Sequence, residues 1–206
     1  MMKVVTRLES SGRGEDRVMV EHADGRTLIV VADGAGGTGN GAAAAEMACS
    51  MVAEAFRRGA MSTDSWAAEL SAIDRNLLTA ARGGQTTVVA VEIQGGEVRG
   101  ASVGDSGCWA IDSLGFVDLT STQNRKPLLG TGAAMPTGIG PTTLPARLLV
   151  ATDGLLKYCP RAEIDRIAVT GTLEGAVEGL VSKVRLRSGK FQDDVAIALC
   201  DSGVAG

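Results

Sequence analysis

The chain has 206 residues, 45% of them hydrophobic and 21% charged, with a formal net charge of −4 and a pI of about 5.1. An acidic chain with 3% aromatic residues lacks both the clustered cations that grip a phosphate backbone and the stacking platforms that hold single strands, which excludes a nucleic-acid partner. No apolar run is long enough to span a bilayer, and the opening MMKVVTRLESSGRGED lacks the apolar stretch of a signal peptide, so the expectation is a cytoplasmic protein with no membrane partner.

The length suits one domain over residues 1–206, with a monomer as the default. The four cysteines are scattered and form no CxxC pair. Cys49, Cys108 and Cys200 sit in apolar strings and read as reduced core residues, whereas the burial of Cys159, before Pro160, is less clear.

In chain order, RVMVEH and TLIVVA flank Asp24-Gly25 and predict a hairpin over 17–32. A glycine-rich loop, GAGGTGNG, runs from Gly34 to Gly41. Helical stretches are predicted over 42–58 and 65–82, the second capped by Ser62, Thr63 or Asp64 and stopped by Gly83-Gly84. TTVVAVEI, VRGASV and CWAIDS predict a β-meander. Residues 120–145, rich in Thr, Gly and Pro, read as a long surface loop of the kind that carries function. RLLVAT (147–152) predicts a buried strand, 154–168 and 172–188 predict helices, and VAIALC (195–200) predicts the last strand. Hairpins dominate and two helical pairs cover them. The fold class is therefore α/β in the sense of a layered α+β sandwich, better than a parallel wound sheet.

Several acids share one context. Asp33 ends TLIVVA, Asp105 follows VRGASVG, Asp153 ends RLLVAT, and Asp193 and Asp194 open VAIALC; Glu15 and Asp16 open RVMVEH. Strand ends are rigid, and carboxylates held close there are compatible with hard divalent cations such as Mg²⁺ or Mn²⁺. Asp-Gly pairs also make ordinary turns, and spacing alone leaves both readings open.

VADGAGGTGNGAAAA, GGQTTVVAV, ASVGDSG, LLVATDGL and DDVAIAL, in that order and preceded by GEDR, resemble the motif series of the type 2C metal-dependent serine/threonine protein phosphatases, in compact bacterial form. The resemblance spans about residues 14–200. It implies two mostly antiparallel β-sheets packed together, flanked by pairs of helices, with two Mn²⁺ or Mg²⁺ ions, and room for a third, at one edge. By that match Asp33 bridges the two ions, the Gly34 carbonyl binds one, and Asp153 and Asp193 complete the other. Asp105 with Asp153 takes the third, and Glu15 and Asp16 act through water. Asp193 is preferred to Asp194 because the family's closing motif places its ligand first. The implied reaction is hydrolysis of phosphoserine or phosphothreonine by a cation-activated water, with a phosphoprotein as partner and a serine/threonine kinase as the opposing activity.

Some positions depart from the pattern. Ala35 stands where some members carry a leaving-group histidine, and Gly107 replaces the arginine of GDSR. Arg13 is the candidate phosphate-binding residue although it lies closer to Asp16 than the family spacing, with Arg7 a second candidate. The only histidine, His22, reads as structural. Arg125 and Lys126, in the 120–145 loop, are candidates for docking an acidic phosphoprotein. Gly34, Gly36 and Gly39 form GxGxxG after a strand, but no second strand ending in an acid follows about 20 residues on, which argues against a dinucleotide fold. Two other readings stay open: a phosphatase-like binding module with little catalysis, and a two-metal hydrolase of another phosphomonoester.

Overall fold

The computed structural model describes residues 2–80 and 83–202. β2 (Asp16–Ala23) and β3 (Arg26–Asp33) form the first hairpin, turning through Asp24 (φ 50°) and Gly25 (φ 72°). Both turn residues take positive φ, as a two-residue turn that follows the strand twist requires. β3 is paired on both edges, by β2 and by β4 (Val88–Gln94). Its period-2 side chains divide between two cores: Leu28, Val30 and Ala32 face helices, while Ile29 and Val31 face the other sheet.

All strand pairings are antiparallel. The first five-stranded sheet runs β1 (Val4–Glu9), β10 (Val195–Asp201), β9 (Arg147–Ala151), β6 (Gly107–Asp112), β7 (Gly115–Asp118). The second runs β2, β3, β4, β5 (Glu97–Val103), β8 (Thr137–Thr143). Ile29, Val31, Val89 and Val91 meet Cys108, Leu148, Val150 and Ala198 between the sheets. α1 (Gly41–Arg57) and α2 (Thr63–Ala80) cover the outer face of the second sheet. α3 (Asp153–Leu156), α4 (Arg161–Ala168) and α5 (Leu173–Val184) cover the first. This is the expected sandwich of two antiparallel sheets flanked by helices.

The differences from the sequence reading have local causes. β1 was not expected, because VVTRLE is short and does not alternate cleanly; it exists through pairing with β10. The 120–145 loop contains β8, an edge strand that tolerates Pro141 because one side of it has no ladder to serve. The single helix expected over 154–168 is two, α3 and α4, broken at Cys159-Pro160. The helix expected to run to 188 stops at Val184, since Arg185 turns extended. Ser62 caps α2 by accepting the Ser65 N–H at 3.1 Å. The last two residues expected in that helix, 81 and 82, lie outside the described residues. All four cysteines are buried thiols, Cys159 included.

Most of the 120–145 segment is pinned rather than loose. Asp74, 3% exposed on α2, accepts backbone N–H bonds from Gly130 (2.7 Å), Thr131 (3.1 Å), Gly132 (3.0 Å) and Ala134 (3.0 Å). Leu129 pairs with Thr86 through two 3.1 Å backbone bonds. Asp74→Ala strands these donors and is expected to lower unfolding free energy by about 2–4 kcal/mol. Urea denaturation measures the loss, and amide exchange at 130–134 should accelerate in the native state; unchanged exchange there would show that Asp74 does not hold the loop.

Candidate metal centre

The two sheets present their acids at one end of the sandwich. Asp33 is the last residue of β3, and Asp16, the first of β2, is its cross-strand partner. Asp105 lies in the Gly104–Ser106 turn where the chain leaves β5 in one sheet for β6 in the other. Asp153 opens α3 just after β9, and Asp193 and Asp194 precede β10. Asp33, Asp105 and Asp153 each place a carboxylate oxygen within 4.8 Å of the others. Sequence separations of 72 and 48 residues thus collapse into one cluster because strand ends from both sheets stack there.

Hydroxyls hold this arrangement in place. The Asp33 N–H donates to Thr87 Oγ1 (3.0 Å), and its carbonyl accepts from Thr87 N–H (2.9 Å) and Thr86 Oγ1 (3.0 Å). Thr87 Oγ1 is 2.7 Å from Ser106 Oγ, tying the β3 end to the Asp105 turn. Thr152 Oγ1 donates to the Asp16 carboxylate at 2.6 Å and accepts the Ala196 N–H at 2.9 Å, tying β2 to β9 and β10. Thr86, Thr87, Ser106 and Thr152 were not singled out in the sequence, although each lies within two residues of a motif acid or a motif strand.

Asp193 and Asp194 have different surroundings. Asp194 is 3% exposed; it accepts from Ser11 N–H (2.6 Å), Ser11 Oγ (2.9 Å), Ser10 Oγ (3.2 Å) and Glu15 N–H (2.6 Å). Burial works against its charge, but these donors hold its carboxyl below the usual range. Its oxygens are spent on anchoring the 10–15 segment. Asp193 is more open, and accepts from Arg13 Nη1 (3.2 Å) and the Asp194 N–H (3.1 Å). Its charge is felt at both Asp33 and Asp153. The Glu15 carboxylate packs on Gly36, where a Cβ would come within 2.4 Å of it, and its carbonyl accepts the Gly34 N–H (3.2 Å). Arg7 is taken up by Glu178 of α5 and by Glu9. His22 sits at the opposite end of β2, 3.0 Å from Thr27 Oγ1.

Two glycines are required by contact. A Cβ on Gly34 would lie 2.3 Å from the backbone of Gly41, so the β3 exit and the start of α1 touch main chain to main chain. A Cβ on Gly154 would lie 1.8 Å from the Asp194 carbonyl, so glycine here lets α3 seat Asp153 against the start of β10.

The electrostatics are those of a site built for cations. Burial, then the charges of Asp16, Asp153, Asp193 and Asp105, push the Asp33 carboxyl up to about 9. Asp16 is raised to about 7 by burial and by Asp194 and Asp153, against the Thr152 hydroxyl bond. Asp153 is raised by burial, Asp105 and Asp193, with Lys157 and Arg125 opposing. Oxygen donors that repel one another in a half-buried cleft fit hard divalent ions, whose charge removes the repulsion. Asp33, Asp105, Asp153 and Asp193 would hold such ions.

This arrangement makes the metal-free fold pH-sensitive in a defined direction. Asp33 ionises near 3.8 when unfolded but only at about 9 when folded. The folded state therefore binds the extra proton, and stability falls as pH rises between these values. In EDTA, the melting temperature should drop from pH 5 to pH 8.5, and Asp33→Asn should flatten that slope and raise Tm at pH 8.5 by about 5 °C or more. A wild-type Tm that climbs over this range would contradict the raised Asp33 carboxyl.

Comparison with solved structures gives the same architecture. The chain is similar to a bacterial serine phosphatase (TM-score 0.86, 20% identity, 100% of each chain covered) and to the serine/threonine phosphatase Stp1 from Staphylococcus aureus (TM-score 0.84, 20% identity, 100% of this chain and 96% of that one). It is also similar to the catalytic domain of the serine threonine protein phosphatase PstP in complex with two manganese ions (TM-score 0.78, 20% identity, 97% of each chain). At these identities the likeness establishes the fold. No curated protein matches the chain. The family model for Stage II sporulation protein E (SpoIIE) matches residues 23–202. The chain therefore belongs to the SpoIIE family of PPM-type phosphatases, the type 2C group that its motifs resemble.

Proposed function

We propose that this chain is a metal-dependent phosphatase that hydrolyses phosphoserine or phosphothreonine in a protein substrate, its residues 1–206 acting as one catalytic domain. The observation that carries the reading is the convergence of the Asp33, Asp105 and Asp153 carboxylates within 4.8 Å, with Asp193 beside them. The structural relatives named above, serine/threonine phosphatases by description and one of them holding two manganese ions, support a pair of Mn²⁺ or Mg²⁺ ions here. When bound, such ions supply Lewis acidity, lowering the pKa of water and neutralising phosphoryl charge.

The chain's own groups divide the remaining work. Asp33 enters from the second sheet, at the end of β3, its backbone clamped by Thr86 and Thr87. Asp153 and Asp193 enter from the first sheet, and Asp105 from the crossover turn. Asp16 is positioned by Thr152 against Asp33 and is suited to orienting water from behind the cluster. Arg13 donates to Asp193 and, with Glu15, Gly36 and Gly37, lines an open cleft on that side. We assign its guanidinium to the substrate phosphate, with Asp193 assigned to a cation. Ala35 offers no proton to the departing serine oxygen, so solvent is assigned that role.

No helix among the described residues is long and apolar enough to cross a membrane. Cytoplasmic location, a monomeric state and opposition to a serine/threonine kinase belong to this same reading.

The test is hydrolysis of a phosphoserine peptide, a nucleotide and an aryl phosphate with Mn²⁺, Mg²⁺ or EDTA. The expected result is Mn²⁺- or Mg²⁺-dependent release of phosphate from the peptide, abolished by EDTA and lowered by about 10³-fold or more in Asp33→Asn. Activity that survives both treatments would overturn the mechanism. A preference for the nucleotide would overturn the substrate class.

A further inference from the structure

Beside the acidic cluster lies a cavity of about 320 Å³ whose wall includes Asp105 and Asp153 themselves. Three cations stand around it: Arg125 from the 120–145 segment, Lys157 from the residue after α3, and Arg161 from the first turn of α4. Arg125 Nη2 is 2.8 Å from Asp105 Oδ2, and Lys157 Nζ is 4.0 Å from Asp153 Oδ2. Arg161 has no carboxylate partner among the described residues; its guanidinium rests over the stacked rings of Trp109 (5.6 Å) and Phe116 (6.0 Å). The remaining acid of the wall, Asp118, is bound by the N–H and hydroxyl of Thr120 at 2.9 Å and 2.6 Å.

Two of these cations are therefore neutralised by the very carboxylates that would hold metal. When Asp105 and Asp153 turn to divalent ions, Arg125 and Lys157 lose their carboxylate partners, while Lys157 keeps its place over the Tyr158 ring (5.1 Å). The cavity then presents three cations against one carboxylate already bound by Thr120. The arginine on the aromatic shelf is held by its face, which leaves its N–H edge for a planar anion.

We propose that this cavity is the subsite for a second carboxylate on the phosphoprotein, an acidic side chain two or three residues from the phosphoserine, held chiefly by Lys157 and Arg161. The proposal rests on the phosphatase reading above. The spacing follows from size: a space of about 320 Å³ is roughly 8 Å across, and an extended peptide advances about 3.3 Å per residue. A phosphoryl group at the acidic cluster thus puts the side chain two or three positions away within reach of the rest of the wall, which includes Arg161.

The experiment uses the full chain with Mn²⁺ and matched phosphoserine peptides carrying Glu, Ala or Lys at the second and third positions on either side. Their non-hydrolysable phosphonate counterparts are measured in parallel by fluorescence anisotropy. The expected result is about tenfold tighter binding and higher kcat/KM for the Glu peptide over the Ala peptide on one side, with kcat little changed. The preference should fall to about twofold or less in Lys157→Gln/Arg161→Gln, and should invert towards the Lys peptide in Arg161→Glu. Each ratio is taken within one protein, so a partly unfolded variant does not mimic the effect. Equal affinity of the wild type for Glu and Ala peptides at low salt would overturn the subsite, as would a Glu preference that survives in both variants. Failure to hydrolyse any peptide would overturn the phosphatase reading instead, while the phosphonate affinities still decide the subsite.

Discussion

The structure turns on the repulsion among carboxylates that the two sheets force together. Left to themselves, Asp33, Asp105, Asp153 and Asp193 would separate or take up protons; burial first, and then the neighbouring charges, raise the carboxyls of Asp33 and Asp153. They stay together because each is attached to something that cannot easily move. Asp33 ends a strand paired on both sides, Asp153 follows β9 and is seated against the start of β10 by the Gly154 contact with Asp194, and Asp105 sits in a turn bridged to Thr87 through Ser106.

The same constraint explains why the neighbouring cations sit where they do. Arg13, Arg125 and Lys157 each pair with one member of the cluster, at Asp193, Asp105 and Asp153 respectively. These contacts are exposed and individually weak, so a divalent ion displaces them at little cost. One set of charges can then serve two conditions: counter-ions for the acids without metal, and ligands for anionic substrate groups with it.

Much of this was legible in the sequence because strand-end acids come with strong local signals. TLIVVA before Asp33 and RLLVAT before Asp153 could only be buried strands, and the order of the motifs carried the family. The hidden parts are those that depend on partners distant in the chain. Nothing in VVTRLE announces β1, which exists because β10 needs an edge partner. Nothing around Asp74 announces that it gathers four backbone N–H groups from residues more than 50 positions later. Arg161 looked like an ordinary residue of a helix; its interest comes from Pro160 breaking that helix and from the Trp109–Phe116 stack beneath it. Threonine and serine next to motif acids carry a readable signal in retrospect, since hydroxyls are what a close-packed site uses to fix a carboxylate or a carbonyl.

The most direct measurement is an anomalous difference map at the manganese edge from crystals of the wild-type chain soaked in Mn²⁺. The account predicts two peaks at the end of the sandwich, both within about 2.2 Å of an Asp33 carboxylate oxygen, with Asp153 and Asp193 completing one of them. A map with no manganese there, or with peaks only elsewhere on the molecule, would contradict it.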